Sequence, residues 1–137
     1  MVGVIDPDPV ARSGLRTLLH GLGVDVSTFD SAESYLLAAN GRHVACLIVD
    51  IRMGGMSGIE LQDRLIERRS PLPIVVITGH GDVPMAVTTM KKGAMDFIEK
   101  PFKEEELLGL VERMLEQARS AFSQHQEQAS RDALLSR

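Results

Sequence analysis

Apolar residues fall in five short runs, Val2–Ile5, Val24–Phe29, Ala45–Val49, Ile74–Ile77 and Asp96–Glu99, and each is followed by a stretch with helical periodicity. Strands alternating with helices of this kind predict βαβ units and a parallel sheet. The runs differ in a way that orders them. VGVI, ACLIV and IVVI are apolar without alternation, as expected of strands covered on both faces. VDVSTF alternates, and DFIE is short with charged ends, which suits sheet edges. With right-handed crossovers the order becomes 2-1-3-4-5, an α/β doubly wound (βα)5 parallel sheet.

Punctuation between the runs agrees. Asp8-Pro9 supplies a cap and a first-turn proline for helix 1, and Ser57-Gly58-Ile59-Glu60 reads as a capping box for helix 3. Asp82 is placed to cap helix 4. Glu104, Glu105 and Glu106 occupy the favourable first turn of helix 5. Gly21, Gly23, Gly41 and Gly93 follow helices 1, 2 and 4 as stop signals. Leu107, Leu108, Val111, Met114 and Leu115 recur at helical spacing and are expected on the sheet. Beyond Ala118 the chain turns polar, with weak periodicity at Phe122, Ala129 and Ala133. Residues 1–118 are therefore read as one domain, and 119–137 as a helical or partly disordered linker to an output domain absent from this chain.

Composition narrows the classes. The chain has 137 residues, enough for one core without a disulfide or structural metal. Its single cysteine, Cys46, lies in an apolar run and fits a reducing cytoplasm. No run is long enough to span a membrane, and no leader pattern precedes the first strand. A net charge of −4 with one Tyr, four Phe and no Trp argues against direct nucleic-acid binding by this domain.

Ligands of open parallel sheets bind beyond the carboxyl ends of the strands, where the order reverses. Here that rim collects Asp6 and Asp8 after strand 1, Asp50 after strand 3, Thr78-Gly79 after strand 4 and Lys100-Pro101 after strand 5. Clustered carboxylates repel unless a cation lies among them, and hard oxygen ligands favour Mg²⁺. Neither a Cys/His cluster nor a Ser-His-Asp arrangement competes.

At these residues the chain resembles a known family. VIDPDPVAR, CLIVDIRMGGMSGIEL, PIVVITGHGDVPMAV and GAMDFIEKPF are similar to the receiver domains of two-component response regulators, FixJ-like ones in particular, over residues 2 to about 118. The resemblance implies a flavodoxin-like fold and a phosphoryl group accepted on Asp50 from the phosphohistidine of a histidine kinase. It implies phosphoryl contacts from Thr78 and Lys100 and Mg²⁺ held by Asp6, Asp50 and the Arg52 carbonyl, with Asp8 as a further candidate. Thr78 and Phe97 become the switch pair, and the bond before Pro101 is expected to be cis. It also implies homodimerisation on phosphorylation through helix 4, strand 5 and helix 5 (Val83, Pro84, Val87, Lys91, Phe97). DNA would be reached only through a missing C-terminal domain, LuxR-type helix-turn-helix or NtrC-type.

The chain departs from the family at two places. Receivers usually carry two adjacent acids after strand 1, the second a metal ligand; here that position is Pro7. Either Asp8 bends back to replace it, or Asp6, Asp50 and water hold the metal, with weakened Mg²⁺ affinity expected. The loop after Asp50 has Gly54-Gly55 where the family often has proline, which loosens the backbone.

Plainer roles compete with each assignment. Asp8 serves equally as a helix cap, Asp6 as a turn residue, Thr78 as a β-branched strand residue, Lys100 as a solvated lysine and Phe97 as core. His20 and His80 read as surface or loop residues, and Arg52 and Met53 as lining the pocket mouth. Two other functions fit parts of the pattern. One is a pseudo-receiver that only binds protein, made credible by Pro7. The other is a haloacid-dehalogenase-type phosphatase using Asp6-Pro7-Asp8, which lacks its later acidic pair and cap domain here.

Overall fold

The computed structural model describes residues 1–38, 44–52, 57–67, 72–79 and 83–135, with the side chains of Val83 and of residues beyond Arg119 left outside that description. Five strands alternate with five helices: β1 Val2–Ile5, α1 Pro9–His20, β2 Val26–Phe29, α2 Ala32–Ala38, β3 Cys46–Asp50, α3 Gly58–Glu67, β4 Ile74–Thr78, α4 Val83–Lys91, β5 Asp96–Glu99 and α5 Glu104–Leu135. All strand pairs are parallel, in the order β2-β1-β3-β4-β5. The strand order read from the pattern, and the flavodoxin-like fold that the resemblance implies, are the ones observed.

Burial follows the alternation argument. β1 and β4 are buried throughout and β3 up to Asp50, whereas β2 and β5 each bury one residue. One face of the sheet packs Val4, Ile48, Val75 and Ile98 beneath Leu15 and Leu19 of α1 and Leu107, Leu110, Val111 and Met114 of α5. The other packs Ile5, Leu47, Val49 and Val76 beneath Tyr35 of α2 and Leu61 and Leu65 of α3. Gly3 lets these layers close: a Cβ there would stand 2.7 Å from Leu47 Cδ2 and 3.0 Å from Val44 Cγ1.

Boundaries moved at four strand ends and in α5. β2 begins at Val26, which pairs with Val2, the first residue of β1; the Asp25 carbonyl accepts the Val2 N–H at 2.8 Å. β3 begins at Cys46 and extends to Asp50, which pairs with Ile77; β4 continues to Thr78, which pairs with Glu99. α5 runs unbroken to Leu135, so the stretch read as a linker is helical that far. No helix is long and apolar enough to cross a membrane among the described residues. Gly41, Met53, Gly54, Gly55, His80 and Asp82 lie outside the described residues, as do the side chains of Phe122, Ala129 and Ala133.

Candidate functional site

The strand ends deliver the site. Asp6 follows β1 directly, Asp50 ends β3, Thr78 ends β4 and Lys100 follows β5. Because β1, β3, β4 and β5 are consecutive neighbours, these four residues share one rim of the sheet. Main-chain bonds fix the rim: Asp6 N–H to the Phe29 carbonyl (3.1 Å), Ile51 N–H to Ile77 (3.0 Å) and Lys100 N–H to Thr78 (2.8 Å). The Lys100–Pro101 peptide is cis.

Lys100 joins the two acids. Its Nζ stands 3.3 Å from Asp50 Oδ2 and 3.7 Å from Asp6 Oδ2. Asp50 Oδ1 accepts from the Arg52 N–H at 2.9 Å, which ties the following loop to the acid. Asp6 Oδ1 accepts from the Asp8 N–H at 2.9 Å, whereas Asp6 Oδ2 is buried with no hydrogen-bond partner among the described residues. Asp6 is 1% exposed and Asp50 15%, so Asp50 is the more accessible of the two acids. Burial pushes the Asp6 carboxyl above its ordinary value; the nearby Asp50 charge adds to the rise, and the Asp8 amide and Lys100 oppose it.

Asp8 has a different place. It is the N-cap of α1, its side chain accepting from the Val10 N–H at 3.0 Å. No group of three or more His, Cys, Asp or Glu side chains is arranged to share a metal among the described residues, so Asp6, Asp8 and Asp50 form no three-acid cluster. The pair that remains still suits a hard cation. An orphaned, buried carboxylate oxygen on Asp6 faces the same lysine as Asp50 Oδ2, and hard oxygen donors of this kind fit Mg²⁺.

Thr78 is buried, its hydroxyl directed at the Ile98 carbonyl at 3.5 Å, a long and weak hold. Phe97 is half-buried against the Leu61 side of the core. Pro84 and Lys91 of α4 are exposed, as is Val87, and Val83 starts the helix.

Two site-supporting residues escaped the sequence reading. Arg12 donates from Nη1 to the Asp6 carbonyl at 2.7 Å, fixing the turn that aims Asp6; its position one turn past the Asp8 cap, facing the β1 end, was the available signal. Gly58 appeared only as part of a capping box. Ser57 Oγ does accept from the Glu60 N–H at 3.2 Å, but a Cβ on Gly58 would also stand 3.3 Å from Ile51 Cα and 3.5 Å from the Asp50 carbonyl oxygen. The close approach of α3 to the end of β3 explains the glycine.

Comparison with known proteins bears on the same residues. The model of the response regulator receiver domain matches residues 2–112. The chain is 46% identical over 118 residues to the transcriptional regulatory protein FixJ of Bradyrhizobium diazoefficiens, covering 86% of this chain and 58% of that protein. It is 42% identical over 118 residues to the response regulator protein TodT of Pseudomonas putida, covering 86% of this chain and 52% of TodT. The chain thus spans just over half the length of these relatives. The structure of the response regulator StyR superposes with a TM-score of 0.90 at 43% identity, covering 98% of this chain and 68% of that one.

Proposed function

This chain belongs to the response regulator receiver domain family, and from that premise we propose that Asp50 accepts a phosphoryl group from a histidine kinase and so switches a transcriptional output. Receiver domains generally bind Mg²⁺ for phosphorylation, interact with histidine kinases and often dimerise. The observation that carries the reading is Lys100 Nζ standing within 4 Å of both Asp50 Oδ2 and Asp6 Oδ2 at the ends of β3 and β1.

An Asp50 carboxylate oxygen attacks the phosphorus in line. The new O–P bond forms as the P–N bond of the donor phosphohistidine breaks, and the electron pair leaves with the imidazole. Lys100 meets the charge on the transferred oxygens. Asp6, Asp50 and the Arg52 carbonyl are the groups that would hold Mg²⁺, which supplies further positive charge to those oxygens. Because Pro7 offers no oxygen and Asp8 is occupied as a cap, the affinity for Mg²⁺ is weaker than in receivers with two adjacent acids. Calorimetric titration returning an ordinary sub-millimolar site that Asp8→Ala abolishes would refute that part.

The phosphoryl group adds charge and three acceptor oxygens. Thr78, weakly held by Ile98, re-aims its hydroxyl at one of them, and Phe97 turns into the space released. A bias of about 1.4 kcal/mol alters the ratio of two packings about tenfold, so one or two charge-assisted hydrogen bonds suffice. The α4–β5–α5 face (Val83, Pro84, Val87, Lys91, Phe97) then pairs two copies, and two-fold pairing suits two DNA half-sites read by a further domain of a cytoplasmic regulator. That FixJ is a transcriptional regulatory protein supports this output.

Incubation with acetyl phosphate, or with beryllofluoride and Mg²⁺, tests the reading by mass spectrometry and fluorine NMR. An adduct on Asp50 that Asp50→Asn removes is expected. An adduct on Asp6 instead supports the phosphatase, and dimerisation unchanged by Asp50→Asn under phosphodonor supports the pure binding module.

A further inference from the structure

Gln62 is a buried amide that the phosphoryl chemistry does not use. It lies on α3, 3% exposed, and its Nε2 donates to the Thr89 carbonyl of α4 at 3.1 Å. Its Oε1 is buried with no hydrogen-bond partner among the described residues. A half-satisfied buried amide is costly, and a methionine of similar shape would fill the space without that cost. Its presence therefore calls for a reason other than stability.

The surroundings supply one. The Thr89 carbonyl also accepts the Ala94 N–H at 3.1 Å, and Lys92, just past α4, pairs with Asp63 at 2.5 Å. Gln62, Lys92 and Gly93 line a cleft of ≈ 90 Å³ between α3 and the turn into β5. These ties all act on the C-terminal end of α4. Apolar burial adds little, since Ala86 and Thr89 are the buried residues among the described side chains of α4, whereas α5 buries Leu107, Leu110, Val111 and Met114. The opposite end of α4 follows the loop that leaves Thr78.

We propose that Gln62, supported by the Asp63–Lys92 pair, latches the C-terminal end of α4 to α3 and makes it the pivot about which the N-terminal end re-packs. The latch exists in the unmodified protein; its role as a pivot rests on the Asp50 reading above. An element held by a few polar ties opens locally at low cost, so releasing the latch frees the whole helix.

The test uses amide hydrogen exchange at Lys92, Gly93 and Ala94, whose N–H groups bond to Thr88, Met90 and Thr89, and the NMR methyl signal of Met85 at the other end. In the unmodified protein, Gln62→Met raises exchange at these three amides about tenfold while β4 and β5 keep their protection. Asp63→Asn, at the surface, causes a smaller rise at the same amides and guards against misfolding of the first variant. Unchanged exchange in both variants, or equal loss across the sheet, overturns the latch. With beryllofluoride and Mg²⁺, the wild type shifts its Met85 methyl and retains protection at Lys92–Ala94; loss of protection there overturns the pivot. If neither end responds, the pivot falls with the Asp50 reading, while exchange in the unmodified variants still decides the latch.

Discussion

Asp6 and Asp8, two residues apart, separate a charge burial from a cap. Asp6 is raised above its ordinary value of 3.8, first by burial, so its ionised form opposes folding. Stability from this group therefore rises as pH falls through the raised folded value and levels off below 3.8. Asp6→Asn is expected to stabilise the chelator-treated protein at pH 7 by on the order of 1 kcal/mol, with the gain vanishing in acid, measured by urea unfolding. Asp8→Ala should do the opposite, losing about 1 kcal/mol of stability with the loss of the cap. Its phosphoryl acceptance at saturating Mg²⁺ should stay within about threefold of the wild type, well inside 1.4 kcal/mol. Cys46 gives a third check: burial pushes its thiol to about 11, so it should ignore a disulfide reagent at pH 8 until urea unfolds the chain. Asp50, Thr78 and Lys100 could be placed on one rim from the order of the strands, and their roles could be proposed from the resemblance of the motifs around them. Arg12 offered only its position one turn past the Asp8 cap, and its reach to the Asp6 carbonyl depends on how α1 lies against β1.

α3 must come close to β3, and Gly58 is where it does. Gly58→Ala places a methyl 3.3 Å from Ile51 Cα, and main chain yields less readily than a flexible side chain. The variant should lose about 1–3 kcal/mol by overpacking and accept phosphoryl groups more slowly, read by urea unfolding and by acetyl phosphate labelling. The order of the strands was legible because VGVI, CLIV and IVVI lack alternation, while VDVSTF alternates and DFIE is short with charged ends. Strand ends were less so: the pairings of Asp50 with Ile77 and of Thr78 with Glu99 are register facts that no single run carries. Gln62 was hidden for the same reason. Within LQDRL it reads as one polar residue among several, and only the packing of α4 on α3 buries it.

For the molecule as a whole, the α4–β5–α5 face is expected to pair two copies. Light scattering should give a monomer alone and a doubled mass with beryllofluoride and Mg²⁺. Val87, 44% exposed on α4, offers a surface control: Val87→Glu should take up the adduct and remain a monomer, and a dimer in that variant would exclude the face. The oxygen of Asp6 that accepts no hydrogen bond among the described residues also matters at this scale. Whatever cation settles on it binds the folded form and not the unfolded one, which lifts the melting point by mass action. Heat resistance should then climb with free magnesium, so a melting curve reports the ionic conditions around the protein even before any signal arrives.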